Sequence, residues 1–144
     1  MKGKFKPKNP QKYRGDASNI VYRSSWELKF MMQLDGDSNV VNWQSEELVI
    51  PYISPIDGRP HRYYPDFVVK KKNKDGLIET VVVEIKPMHQ TKQPTPSKTI
   101  NKRYITEVQT WGINSAKWKA AGEYCEDRKW KFIILTEKEL GIKF

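Results

Sequence analysis

The sequence predicts a mixed α/β (α+β) domain with a central mixed sheet flanked by helices. Three observations predict it: an amphipathic segment around residue 30, three runs rich in Val, Ile, Tyr and Phe between residues 47 and 86, and a second helical region before a last short strand. The element order is therefore αβββαβ around one sheet. A length of 144 residues suits one domain.

The composition favours a folded, basic protein. Lys and Arg number 26 against 17 Asp and Glu, which gives a formal charge of +9 and points to acidic partners such as nucleic acid. Aromatic residues make up 12% of the chain, too many for a disordered tail. A single cysteine excludes an intrachain disulfide and a thiolate-rich zinc site. Because no apolar run approaches the roughly 20 residues of a membrane span, we expect a cytoplasmic protein without a membrane partner.

Residues 1–17 are predicted to form a flexible basic arm, and residues 18–144 a single domain. The arm carries five lysines and one arginine among prolines and glycines, so it repels itself and buries little apolar surface. Two roles remain open for it, a solubilising tail and a strap along a phosphate backbone.

The first half of the domain reads as one helix and three strands. A helix is predicted over 24–34 because Trp26, Phe30 and Leu34 recur at helical spacing. Strands are predicted over 47–53, 63–71 and 77–86 from their β-branched and aromatic residues.

The turn at residues 73–76 fixes how the last two of these strands pair. If Gly76 takes a positive φ, the hairpin joins residues whose numbers add up to 150, which sets Asp66 opposite Glu84. Directly opposed side chains on neighbouring strands have Cβ atoms about 5 Å apart.

The second half is predicted to contain a loop, helices and one strand. The prolines of residues 87–97 indicate a surface loop, and helical patterning follows over 101–111 and 115–127 with a break at Gly112. A strand is predicted over 130–135, and Thr136 with Glu139 fits a capping box that opens a short helix.

The chemistry-bearing residues are Asp66 in the second predicted strand and Glu84 and Lys86 in the third. Side chains alternate along a strand, so Glu84 and Lys86 project to the same face. Two opposed carboxylates destabilise a sheet unless a cation lies between them, and oxygen ligands favour Mg²⁺, with Mn²⁺ as a substitute. The alternative is a solvent-facing sheet edge with ordinary ion pairs.

Glu27 is a third candidate ligand. Residues 24–27 also form a capping box, in which Glu27 would only satisfy the N-terminus of its helix. Residue reasoning leaves both roles open.

Five stretches, residues 9–13, 22–27, 50–55, 61–67 and 84–87, resemble the head completion nucleases of T-even-type tailed phages. That family is similar to the PD-(D/E)xK nucleases, whose core order of helix, three strands, helix and strand is the one predicted above. The resemblance implies catalytic roles for Glu27, Asp66, Glu84 and Lys86. It also implies that Asp66, Glu84, Glu27 and the backbone carbonyl of Ile85 hold the metal ion.

The resemblance further implies a Mg²⁺-dependent deoxyribonuclease, with endonuclease action as the default and exonuclease action as a further mode. Its substrate would be double-stranded DNA, trimmed at a filled phage head so that head and tail join in the infected host cytoplasm. Phage portal or neck proteins would be partners, and the protein could stay on the virion at the head–tail junction. Two other functions remain open, a non-catalytic DNA-binding head or neck protein and a junction-resolving nuclease.

Contacts with DNA are expected from basic residues near the proposed site, where phosphate contacts do not depend on base sequence. Trp43 and Trp111 could stack on unpaired bases, although buried aromatic rings are common and core packing is the favoured role. The expected DNA-binding residues are Arg23, Arg62, Lys70, Lys117 and Lys119.

Overall fold

The computed structural model describes residues 2–96 and 98–141. Short 3-10 turns lie at Pro10–Lys12 and Met88–Thr91. In chain order the elements are β1 (Gly3–Phe5), β2 (Ile20–Tyr22), α1 (Ser25–Gly36), β3 (Val40–Ser45), β4 (Ile50–Ile53), β5 (Pro60–Tyr63), β6 (Phe67–Lys72), β7 (Ile78–Ile85), α2 (Lys102–Asp127), β8 (Lys131–Leu135) and α3 (Glu137–Leu140).

A four-stranded sheet in the order β3-β6-β7-β8 forms the centre of the fold. Its first three strands are antiparallel, and β8 runs parallel to β7 after the crossover through α2. The predicted α+β class with a central mixed sheet is therefore confirmed.

Each face of this sheet carries its own apolar cluster. Phe67 and Val83 are paired across β6 and β7, and they pack with Phe30 and Met31 of α1. On the other face, Phe132 packs with Ala121 of α2 and with residues of the β4–β5 hairpin. Alternation along the strands thus builds two layers, and on β7 it places Val82 and Glu84 on the face toward α2.

The predicted register of the β6–β7 hairpin is confirmed. The paired residues run from Phe67 with Val83 to Lys72 with Ile78, so every pair adds up to 150. Gly76 has φ +76°, the left-handed conformation that the turn requires and that glycine adopts without steric cost.

The predicted first strand of the sheet was wrong. We predicted residues 47–53, whereas the edge strand is β3, and β4 pairs only with β5 in a separate hairpin. The register shifts between Val40 and Asn42, so Val40 and Trp43 are both buried although they are three residues apart. This bulge removes the period-two pattern by which a strand is recognised.

The predicted strand over 63–71 is in fact two strands. It divides between Tyr63 and Phe67, where buried Pro65 has no N–H to donate to a ladder. The predicted break at Gly112 was also wrong, because α2 continues through it. A glycine inside a helix costs only about 1 kcal/mol, and packing of Ile113 and Ala116 against the β4–β5 hairpin outweighs that cost.

Several local predictions are confirmed. Helix α1 begins as expected, with Ser24 as its N-cap, and Thr136 and Glu139 form a capping box at the start of α3. Among the described residues, no helix combines the length and apolarity that crossing a membrane would require.

The N-terminal segment, predicted as a flexible arm, folds onto the domain. Phe5 and Tyr13 are buried, and their rings lie 6.1 and 4.7 Å from the ring of Trp43. The buried carboxylate of Asp35 accepts hydrogen bonds from the backbone N–H groups of Lys8 (2.8 Å) and Asn9 (3.0 Å). The prediction failed because two isolated aromatic residues outweigh the repulsion among the lysines.

We expect Asp35→Ala to lower the free energy of unfolding by about 1–3 kcal/mol, because two partly buried hydrogen bonds from backbone N–H groups lose their acceptor. Urea denaturation measures this loss, and amide exchange at residues 3–13 should accelerate with it. Asp127→Ala, at the exposed end of α2, is the control and should change neither. Unchanged protection at residues 3–13 in Asp35→Ala would contradict the anchoring role.

Candidate active site

A cavity of about 430 Å³ lies at the end of the central sheet where β6 begins and β7 ends. The four residues that the sequence analysis singled out as catalytic line it: Glu27, Asp66, Glu84 and Lys86. Ile85 lines it as well. Residues from α1 and from both strands of the hairpin thus meet in one place.

The hairpin brings Asp66 and Glu84 together. Asp66 lies directly before β6, and its Oδ2 accepts a hydrogen bond of 2.8 Å from the backbone N–H of Ile85. Glu84 projects from β7 to the same face, and the two carboxyl groups are close enough to interact directly.

Tyr63 holds the Glu84 side chain in place. Both residues are buried, and the Tyr63 hydroxyl donates a hydrogen bond to Glu84 Oε2. Lys117 of α2 has its Nζ 5.6 Å from the centroid of the Tyr63 ring, a cation–π contact. The sequence analysis placed Tyr63 in a strand without a role. Only its position three residues before Asp66 could have drawn attention to it.

Glu27 lies in the first turn of α1 and also in the wall of the cavity. Ser24 Oγ accepts a hydrogen bond from the Glu27 backbone N–H (3.1 Å) and lies 3.5 Å from Glu27 Oε2. The Glu27 carboxylate also accepts from the backbone N–H of Arg23. Ser24 therefore caps α1, whereas the Glu27 carboxylate bonds to the Arg23 backbone instead of completing the predicted capping box. The same carboxylate lines the cavity with Asp66 and Glu84.

Burial disfavours the charged form of all three carboxyl groups. It raises the pKa of Asp66 to about 8, and the neighbouring Glu84 charge adds to this effect. Burial raises the pKa of Glu84, which the hydrogen bond from Tyr63 partly offsets. For Glu27, burial and then the charges of Asp66 and Glu46 raise the pKa. Clustered acids with raised pKa values are a common mark of a functional site.

Lys86 adds a positive charge beside the acidic pair. It is half-buried, lines the cavity with Asp66 and Glu84, and favours the ionised forms of both through its charge. Its backbone N–H donates to the carbonyl of Leu135 on β8 (3.0 Å), which fixes this residue at the end of the sheet.

The donor set suits a hard divalent cation. Mg²⁺ in proteins is held by one or two carboxylates and retains several waters, and Asp66, Glu84 and the Ile85 carbonyl offer oxygen atoms of that kind. Over residues 2–96 and 98–141, no three His, Cys, Asp or Glu side chains form a closed cluster around a possible metal position. The donor set fits Mg²⁺, which keeps several of its waters, and Glu27 lines the same cavity.

Two of the five predicted DNA-binding residues lie beside the cavity. Arg23 pairs with Glu46, and the charges of Glu27 and Asp66 further raise the pKa of its guanidinium. Lys117 favours the ionised form of Glu84. Neither these two nor the other three are among the residues that line the cavity. Of the other three, Arg62 and Lys119 are exposed, and Lys70 lies four residues from Asp66 along the chain.

Two comparisons with known proteins bear on this site. The family model described as TnsA-like endonuclease N terminal matches residues 37–137, a range that contains Asp66, Glu84 and Lys86 and begins beyond Glu27. The head completion nuclease of Enterobacteria phage T4 is 40% identical over 148 residues, which cover 98% of this chain and 96% of that protein. Both similarities include the hairpin that carries the acidic pair.

We expect the stability of the metal-free protein to fall as pH rises from about 4 to about 8. Asp66, whose pKa is raised from 3.8 to about 8, binds a proton more tightly folded than unfolded, and Glu84 and Glu27 shift in the same direction. The carboxyl groups with lowered pKa values, such as Glu79, change the free energy of unfolding at pH values below this range. Urea denaturation in EDTA across the pH series measures the slope.

Asp66→Asn should flatten this slope, because the amide cannot ionise while its oxygen can still accept from Ile85. The expected gain in the free energy of unfolding at pH 8 is on the order of 1 kcal/mol or more. Asp16→Asn, at an exposed carboxyl, is the control and should leave the slope unchanged. Parallel curves for the wild type and Asp66→Asn would show that Asp66 does not titrate in this range.

Proposed function

This chain belongs to the TnsA-like endonuclease family, and on that premise we propose that it is a metal-dependent deoxyribonuclease that hydrolyses phosphodiester bonds during phage head completion. The observation that carries the proposal is the meeting of Asp66, Glu84 and Lys86 in one cavity at the end of a hairpin. Similarity to a head completion nuclease over nearly the whole chain supports the nuclease role.

The proposed metal ion is Mg²⁺, with Mn²⁺ as a substitute, held by Asp66, Glu84 and the Ile85 carbonyl, with Glu27 as a further ligand. When bound, it would supply a Lewis acid that polarises the phosphodiester and lowers the pKa of water. Lys86 extends an ammonium group beside the pair, where it orients the attacking water and offsets negative charge in the transition state. Tyr63 keeps Glu84 fixed through its buried hydrogen bond.

We propose that double-stranded DNA reaches the cavity along a basic surface. Arg23 and Lys117 lie beside the carboxylates, and Arg62 and Lys119 offer exposed charges farther out, with Lys70 on the same sheet. Contacts of lysine and arginine with phosphates are independent of base sequence, which suits an enzyme that trims packaged DNA.

The proposed place of action is the infected host cytoplasm, at a filled head. Endonuclease cutting is proposed as the main mode and exonuclease action as a further one, so that head and tail can join. Portal or neck proteins are the proposed partners, and association with the virion at the head–tail junction follows from them. The name of the T4 relative supports head completion as the step.

We expect purified protein to nick or linearise plasmid DNA with Mg²⁺ and to leave it intact with EDTA. Asp66→Ala and Lys86→Ala should each lower the cutting rate about 100-fold or more, because the first removes a proposed metal ligand and the second removes the ammonium group that orients the water. Gel analysis of plasmid forms measures the rate. Lys74→Ala, at the exposed tip of the hairpin, is the matched control and should cut normally.

Full activity in either cavity variant would remove the proposed mechanism. Intact plasmid with wild-type protein and Mg²⁺ would instead favour a non-catalytic DNA-binding protein. A four-way junction tested beside linear duplex separates general cutting from junction resolution, since a resolving enzyme would prefer the branched substrate.

DNA affinity should depend on the basic surface independently of cutting. Lys117→Gln and Lys119→Gln should each weaken binding to any duplex. The negative slope of the log binding constant against log salt concentration should become shallower by about 0.9, as expected for one lost phosphate contact. Fluorescence anisotropy in EDTA at several salt concentrations measures both quantities. Lys74→Gln is the control, and an unchanged slope in either test variant would exclude that residue from the interface.

A further inference from the structure

A second cavity, of about 560 Å³, adjoins the candidate active site, and we propose that it holds an unpaired nucleobase of the DNA strand that is cut. The cavity lies between residues 89–95, in the segment that follows β7, and the first half of α2. Gln90 lines both cavities. The proposal rests on the proposed nuclease function, because it places the base beside the phosphate that would meet the metal ion held by Asp66 and Glu84.

The wall of this cavity combines one large ring with neutral hydrogen-bonding groups. Trp111 supplies the ring, and a base–aromatic contact of this kind tolerates any sequence. Gln93, Thr110 and Asn114 supply amide and hydroxyl groups, and Asn114 is buried. Amides carry a donor and an acceptor side by side, as the edges of nucleobases do.

The charges around the cavity favour a neutral ligand over a phosphate. The basic side chains of its wall are Lys92 and His89, and Glu107 contributes a negative charge. Glu107 also pairs with Arg103 (N–O distance 3.2 Å). A phosphate site would gather several cations without a carboxylate. A heteroaromatic base, which is uncharged and needs stacking and an edge partner, meets these conditions.

The sequence analysis considered Trp43 and Trp111 for stacking on bases. Of these two, Trp111 can reach a ligand. Trp43 is fully buried in the core, whereas Trp111 is half-buried and lines the cavity. Trp118 packs against Trp111 at 80°, with 6.2 Å between the ring centroids, and so limits how the Trp111 ring can turn. A ring held in this way loses little freedom when a base stacks on it.

The cavity therefore indicates a substrate class. A base inside a continuous duplex must leave its stack before it can enter, which costs energy, whereas a base in an overhang is already unpaired. DNA with unpaired nucleotides next to the cut is the substrate that this arrangement favours over uninterrupted duplex.

The test compares labelled hairpin DNAs with a blunt end, a short 3′ overhang or a short 5′ overhang, measured by fluorescence anisotropy in EDTA. Wild-type protein should bind one overhang polarity roughly tenfold more tightly than the blunt end, the scale of one stacked base. In DNA with 2-aminopurine at the first unpaired position, emission should fall on binding. Trp111→Leu should abolish the preference and the change in emission, and Trp111→Phe should keep both.

Two further variants keep the test decisive. Gln93→Ala lies on the exposed loop, so it should fold normally and should reduce the preference severalfold. Val108→Ala, an exposed position of α2 outside the cavity, should behave as wild type. Equal affinity of the wild type for blunt and overhang DNA would overturn the proposal, and so would an unchanged preference in both Trp111→Leu and Gln93→Ala.

Failure of this inference is distinguishable from failure of the nuclease function. Base binding is measured without metal and without cutting, whereas the plasmid assay requires Mg²⁺ and reports cutting alone. A protein that cuts plasmid but does not prefer overhangs would refute the base site only. A protein that prefers overhangs but cuts nothing would keep the site and refute the enzyme.

Discussion

The main constraint on this structure is the burial of two carboxylates that lie opposite each other on adjacent strands. Like charges placed in this way destabilise a sheet, and burial adds to the cost of ionising Asp66 and Glu84. The fold tolerates the pair because each acid has a donor, the Ile85 N–H for Asp66 and the Tyr63 hydroxyl for Glu84. The acidic pair lowers the free energy of unfolding, and it forms a site that attracts positive charge.

The positions of those two donors depend on irregular features of the surrounding chain. Pro65 interrupts the extended run, so that β5 leaves the central sheet and its last residue, Tyr63, packs against α2 and reaches Glu84. The hairpin turn at Gly76 fixes the register that sets Asp66 opposite Glu84 and brings its carboxylate to the Ile85 N–H. A shift of one residue would place the acids on opposite faces of the sheet and separate them.

The sequence was sufficient for features set by local rules and insufficient for those set by packing. The turn chemistry of residues 73–76 gave the register, and residue types gave Asp66, Glu84 and Lys86 as one group. The bulge near Asn42 hid β3, because the loss of alternation is a tertiary effect. The hydroxyl of Tyr63 could not be assigned either, since its direction depends on how the β4–β5 hairpin packs against α2.

Because α2 is continuous, it fixes the distance between Trp111 and Lys117, which the predicted break at Gly112 would not have done. A break at Gly112 would let Trp111 and Lys117 take up independent orientations, but one helix fixes them about 9 Å apart along its axis. Trp111 faces the second cavity, whereas Lys117 contacts Tyr63 above Glu84. A DNA strand that meets both residues therefore meets them at a constant spacing. The same rigid element would position the base and the charge next to the cut, and the segment carrying Gln90 would separate them.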